Sequence, residues 1–301
     1  MLISVKEMKK KYLVACGDSF TKGHIQGEVA SWATYVGPKL GLETINIACG
    51  GMSNDWICNT TLTWLMKNKE KAKECVVMIG WSEFGRQYNI YQPIIEGDFP
   101  NTRWTVTISP WDFAPNFVDI NDPQIPQALK EIEINKKALQ PWFGSISDAL
   151  HKTYRSILFV KEYCESNNIP YLFFDMIDNQ KGIFTPIPTG DNQDGQNYTI
   201  QVRNRTKNND DEWEYLNCGE VRHDQLDLLT PELTEYLWDN HYCSIRDENS
   251  VLGFLENYPD ETLGGQEGGY MKGNPGHLNI EGAKWLSEYV VNWYKSIYNI
   301  N

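Results

Sequence analysis

KYLVACGDSF (residues 11–20) is the stretch on which the reading of the fold turns. Tyr12 to Cys16 form a short apolar run, and Gly17-Asp18-Ser19 closes it with a strand-to-loop signal. Further along, residues 27–41 carry Val29, Trp32, Tyr35, Val36 and Leu40 at roughly helical spacing, with Pro38 kinking or ending the helix. ETINIA (43–48) reads as a second strand, closed by Cys49-Gly50-Gly51. Ser53 or Asn54 then caps a helix that carries Trp56, Ile57, Leu62 and Leu65. ECVVMIG (74–80) is a third strand, and its unbroken apolar run implies burial on both faces.

Strands and helices alternating over such short connections predict an α/β fold with a parallel sheet and helices on both sides. In such sheets ligands bind at the carboxyl ends of the strands. Gly17-Asp18-Ser19, Gly50-Gly51 and Gly80-Trp81-Ser82 all fall there, so three polar, glycine-containing loops converge on one edge.

The rest of the chain is read more coarsely. Residues 88–135 are rich in Pro and Trp and read as irregular; a long helix is expected over about 136–167, and IPYLFFDM (169–176) as a fourth strand. Residues 177–230 are crowded with Asn, Asp and Gly, with a small hairpin at NYTIQVRN. Short helices around 231–240 and 248–256 precede a Gly-rich loop, and 280–298 is an amphipathic helix carrying Ala283, Trp285, Leu286, Val290, Val291 and Trp293. The reading is one domain, 1–301, with insertions at about 88–135 and 177–245.

Composition narrows the function. A net charge of −13 argues against a nucleic-acid partner, whose phosphates need a basic face. The seven cysteines are odd in number and scattered, which speaks against a disulfide scaffold and for a reducing compartment. MLISVKEMKKKYLVAC lacks the apolar core of a signal peptide, and no run of about 18 apolar residues spans a membrane. The expectation is a cytoplasmic site of synthesis.

The motifs resemble those of the SGNH (GDSL-type) hydrolases. GDSF (17–20) resembles the opening signature, INIACGG (45–51) the second block, and His277 in GNPGHLNIEG the final block, usually D-x-x-H. The resemblance implies a flavodoxin-like three-layer sandwich with a central parallel sheet of about five strands. CGDSFT, GGMSND (50–55) and IGWSE (79–83) further resemble SGNH proteins encoded by tailed phages, which implies incorporation into a virion. The implied partners are a small ester or an acylated glycan, with sister copies or virion subunits as the assembly context; neither cofactor nor metal is implied.

Acyl transfer needs a nucleophile, a base and donors for the oxyanion. On the resemblance these are Ser19, His277, and the N–H groups of Ser19 and Gly51. Two positions depart from the pattern. The third block, normally G-x-N-D, reads Gly80-Trp81-Ser82-Glu83, which leaves Ser82 to donate through a shorter side chain. Losing one such donor costs about 10²–10³ in rate. Asn274 stands where the triad acid is expected, and the analogous change in a serine protease costs about 10⁴. A backbone carbonyl orienting His277 would leave a working Ser-His dyad.

Two functions follow: a serine esterase or deacetylase acting on O-acyl groups, and a catalytically weak or inactive SGNH-fold subunit that binds glycan or neighbouring proteins. Trp104, Trp111, Phe113 and Phe117 suit the walls of a sugar cleft, and equally well the packing of an insertion onto the core. Cys218, His223, His241 and Cys243 have no common zinc spacing, and His24 and His151 read as surface or satisfied histidines. Asp18 is expected to organise the nucleophile loop.

Overall fold

A computed structural model of the chain describes residues 10–23, 31–83, 86, 88–95, 100–108, 113–117, 146–176, 197–203, 215–222, 231–243, 278 and 280–300, with a few isolated positions besides. Five strands make the central sheet: β1 (Tyr12–Gly17), β2 (Glu43–Asn46), β3 (Cys75–Trp81), β7 (Tyr171–Asp175) and β10 (Tyr242–Cys243). Every neighbouring pair is parallel, in the order β10-β7-β3-β1-β2. Read from β2, the core strands stand in the order 2-1-3-4-5, the flavodoxin-like arrangement of doubly wound sheets.

Handedness explains the layers. The chain moves outward from β1 to β2 through α2 (Trp32–Lys39), then back across β1 to β3 through α3 (Asn54–Lys67). Right-handed crossovers in opposite directions must lie on opposite faces. So α2 packs on one face, joined there by the last helix, α7 (Ile280–Tyr298). On the other face α3 packs beside α5 (Ile146–Ser166), which carries the β3-to-β7 crossover in the same direction. α1 (Ser19–Lys22) and α4 (Lys69–Lys73) are single turns, and α6 (Pro231–Leu237) sits beside α5.

Burial follows the two-residue period of the strands. Val14, Cys16, Val77, Ile79, Trp81, Tyr171 and Phe173 meet Ile57 and Leu65 of α3 and Ile157 and Val160 of α5. Leu13, Ala15, Val76, Met78, Leu172 and Phe174 meet Trp32 and Val36 of α2 and Ala283, Leu286 and Val290 of α7. β3 and β7 are buried at every position, as a two-sided sheet requires. No helix among the described residues is long and apolar enough to cross a membrane.

Two segments differ from the sequence reading. The stretch read as irregular contains an antiparallel sheet of β4 (Tyr88–Ile95), β5 (Pro100–Ile108) and β6 (Phe113–Phe117). Its prolines, at 93, 100 and 115, hid the alternation of β-formers around them. The fifth core strand, β10, falls inside the range assigned to the second insertion, 177–245; a strand of two residues has no period to read. α5 (Ile146–Ser166) falls within the helix expected over about 136–167, and residues 136–145 lie outside the described residues. The expected hairpin is present as β8 (Asn197–Arg203) paired with β9 (Tyr215–Arg222). The helix expected at 248–256 lies outside the described residues apart from Val251.

Close approach at the carboxyl edge depends on one glycine. A Cβ on Gly17 would lie 2.2 Å from Thr21 Oγ1 and 2.7 Å from the carbonyl oxygen of Gly80, its register partner on β3. The second contact is backbone and cannot swing aside. Gly17→Ala is therefore expected to cost about 2 kcal/mol, toward the upper part of the range for overpacking. A urea-unfolding midpoint equal to wild type would show that the α1 turn yields freely.

Candidate active site

Ser19 lies at the carboxyl end of β1, beside the point where the strand order reverses, which is where doubly wound sheets bind ligands. It is the first residue of α1 and is largely buried, 7% exposed. The capping function that a serine in such a turn could serve belongs to its neighbour. Asp18 Oδ1 accepts the Phe20 N–H at 3.0 Å, and the Asp18 carbonyl accepts from Thr21 and Lys22. Asp18 thus organises the loop, as the sequence suggested.

The far end of this single turn is held by side chains. Asn46, the last residue of β2, donates through Nδ2 to the Thr21 carbonyl at 2.8 Å and to Ser31 Oγ at 3.2 Å. Ser31 Oγ donates to the same Thr21 carbonyl at 2.6 Å, and Trp32 Nε1 donates to Thr21 Oγ1 at 3.2 Å. A four-residue helix has little stability of its own, so these tertiary bonds set its position.

The second loop runs alongside. Ile47 N–H donates to the Ala15 carbonyl and Cys49 N–H to that of Gly17, which brings the chain past β1 before it turns at Gly51. Gly51 has φ of 73°, in the left-handed region where a Cβ costs roughly 1–2 kcal/mol. Ser53 then caps α3, accepting from the Trp56 N–H at 3.3 Å.

The third loop is clamped by Asn54, which the sequence offered only as a helix cap. Asn54 Oδ1 accepts the Ser82 N–H at 2.8 Å, and Asn54 Nδ2 donates to the Ser82 carbonyl at 3.0 Å and to Thr153 Oγ1 on α5 at 3.1 Å. Ser82 Oγ donates to Asp18 Oδ2 at 3.0 Å. Arg86 Nη1 lies 3.3 Å from the same oxygen, while its Nε donates to Glu83 Oε1 at 2.7 Å. Asp18, Ser82 and Asn54 are all at most 1% exposed. Arg86 belongs to no recognised motif, and GGMSND contains Asn54 without marking its partners; a buried polar network is visible only when its members meet in space.

Asp18 therefore ties the first loop to the third, while Cys49 N–H joins the second loop to Gly17 and Asn54, just after that loop, joins it to Ser82. Ser19, Gly51 and Ser82 stand at the ends of β1, β2 and β3; His277 and Asn274 lie outside the described residues. Cys16 is directly below, and burial pushes its thiol up to about 12, so it is no competing nucleophile at neutral pH. Among the other residues weighed from sequence, Cys243 is packed in the core and His241 is bonded to Asp239 and stacked on Tyr171. His151 is half-buried on α5, and its Nε2 makes no hydrogen bond among the described residues. Trp104 and Phe117 are register partners in the inserted sheet, as are Ile108 and Phe113; Trp111 lies outside the described residues.

No protein-family model matches the chain, and no curated protein matches it. Among solved structures it is similar to the crystal structure of a candidate GDSL-like lipase from Parabacteroides merdae, at 8% identity and a TM-score of 0.34, over 98% of this chain and 99% of that one. At that distance the likeness carries no argument about chemistry. The fold assignment rests on the strand order itself.

Proposed function

We propose that the chain is a serine esterase or deacetylase of the SGNH type, acting on O-acyl esters and in particular on acylated carbohydrate. The observation that carries this reading is the placement of Ser19: at the switch point of the sheet, on a turn whose cap is supplied by Asp18 rather than by the serine. In this reading Ser19 Oγ attacks the ester carbonyl carbon while its proton passes to His277. The N–H groups of Ser19 and Gly51 face the developing oxyanion. Collapse breaks the bond to the alcohol, which leaves with the proton from His277, and water then releases the acid from Ser19. Asn274, at the sequence position of the triad acid, supplies no carboxylate, so in this reading the imidazolium is stabilised less than in a full triad.

The hydrogen bond from Ser82 Oγ to Asp18 favours a second reading. A hydroxyl committed to a buried carboxylate supports a loop and does not serve an oxyanion. On that reading the chain is a weakly active or inactive subunit of a phage virion or similar assembly that binds glycan or its neighbours.

A fluorophosphonate separates the two, because it needs an activated serine but no particular substrate. The expected result is one adduct per chain, mapped by mass spectrometry to the peptide that contains Ser19. Folded protein that takes up no adduct at Ser19 would favour the binding subunit.

A further inference from the structure

The buried carboxylate of Asp18 has two jobs on two loops. Its Oδ1 holds the first turn of α1, and its Oδ2 faces Ser82 Oγ and Arg86 Nη1 from the loop after β3. The Asp18 side chain is 0% exposed and that of Arg86 only 12%, so water screens the pair little. Glu83, 13% exposed, grips the guanidinium through Nε and fixes the direction in which Nη1 points. The Arg86 N–H also donates to the Glu83 carbonyl at 3.3 Å.

We propose that Arg86 is a positioning residue: acting through the carboxylate of Asp18, it sets the place of Ser19 at the carboxyl edge of the sheet. The proposal rests on the nucleophilic reading of Ser19 and adds a residue that no sequence motif marks. Its physical basis is the cost of an uncompensated buried charge. Without the guanidinium, the Asp18 carboxylate either turns toward water or shifts onto Ser82 Oγ. Both weaken its bond to the Phe20 N–H and free a turn that cannot hold itself. A shift of about 1 Å in a reacting group is enough to cost roughly 10² in rate. Lysine is a poor substitute, since one ammonium cannot reproduce the fork that meets Asp18 and Glu83 at once.

The test combines amide exchange with kinetics in Arg86→Met and, as the variant better able to fold, Arg86→Lys. Exchange over residues 18–23 is expected to rise about ten-fold or more in Arg86→Met, with residues 12–17 of β1 unchanged as the check on folding. With p-nitrophenyl acetate, kcat is expected to fall about 10–100-fold at a KM within two-fold of wild type, and Arg86→Lys to fall between. Unchanged exchange over 18–23 in both variants overturns the proposal. So does raised exchange with an unchanged kcat, provided that Ser19→Ala is inactive. Should Ser19→Ala hydrolyse the ester as fast as wild type, the nucleophilic reading fails instead, and exchange alone then decides whether Arg86 anchors the loop.

Discussion

Ser19→Ala is expected to remove hydrolysis of p-nitrophenyl acetate, by about 10³-fold or to the background of unrelated surface nucleophiles. On the proposed function the substitution removes the nucleophile and leaves only binding and oxyanion donors, which closes the acyl-enzyme route. The substitution deletes one oxygen from a residue that does not cap its helix, because Asp18 supplies the cap. Stability should therefore change little, and loss of activity cannot be ascribed to unfolding; a matched thermal melt checks this. Equal rates for wild type and Ser19→Ala at the same protein concentration would remove Ser19 from the chemistry. Asn274→Asp is the companion measurement. On the proposed function it supplies the carboxylate that the D-x-x-H pattern expects three residues before His277, and kcat should rise substantially, toward the roughly 10⁴-fold effect of a triad aspartate. No gain would indicate a dyad oriented by backbone, or an inert site.

The largest effect on stability is expected at the opposite end of the sheet. Lys161 of α5 is 0% exposed, and its ammonium reaches Asp239 Oδ2 at 2.7 Å, the Tyr236 carbonyl, and the face of the Tyr236 ring at 4.1 Å. Asp239 in turn accepts from the His241 backbone N–H at 2.8 Å and lies 3.2 Å from His241 Nδ1. Asp239→Ala leaves the buried ammonium with only the more distant carboxylate of Glu165, at 3.8 Å, against it, which costs about 2–3 kcal/mol and lowers Tm by roughly 5–10 °C. Lys161→Met should cost about 1 kcal/mol or less, because Asp239 is 34% exposed and can turn to water. The asymmetry is the testable point, and equal losses in urea unfolding would refute it.

The same pair gives the stability a pH dependence of known sign. Burial pushes the Asp239 carboxyl up, but the hydrogen bonds from His241 and Lys161 together outweigh it and hold the group below its ordinary value. A depressed carboxyl stabilises the folded state above its unfolded pKa of about 3.9, and that contribution is lost as pH falls through the folded value. The difference between wild type and Asp239→Ala should thus be flat from about pH 5 to 8 and shrink below about pH 4.

What could be read in the sequence was whatever has a local period or a local shape. The apolar runs of β1 and β3 gave away a sheet buried on both faces, and the pattern over 280–298 gave the last helix to the residue. The glycines at 17 and 51 were legible because a tight turn or a close approach leaves few alternatives. Proline-broken β4, β5 and β6 escaped notice, since ladder pairing with distant partners overrides weak local preference. β10 was invisible for the same reason.

The candidate site divides along the same line. By itself the sequence determined that Gly17-Asp18-Ser19, Gly50-Gly51 and Gly80-Trp81-Ser82 end three strands, and so share one edge of a parallel sheet. Only the tertiary structure decided how that edge is tied: Asp18 joins the first loop to Ser82 and Arg86, and Asn54 joins the third to α5. Chain periodicity is a property of neighbours in sequence. A hydrogen bond between residues 18 and 86 depends on packing that brings them together, and its energy exists only where water has been excluded.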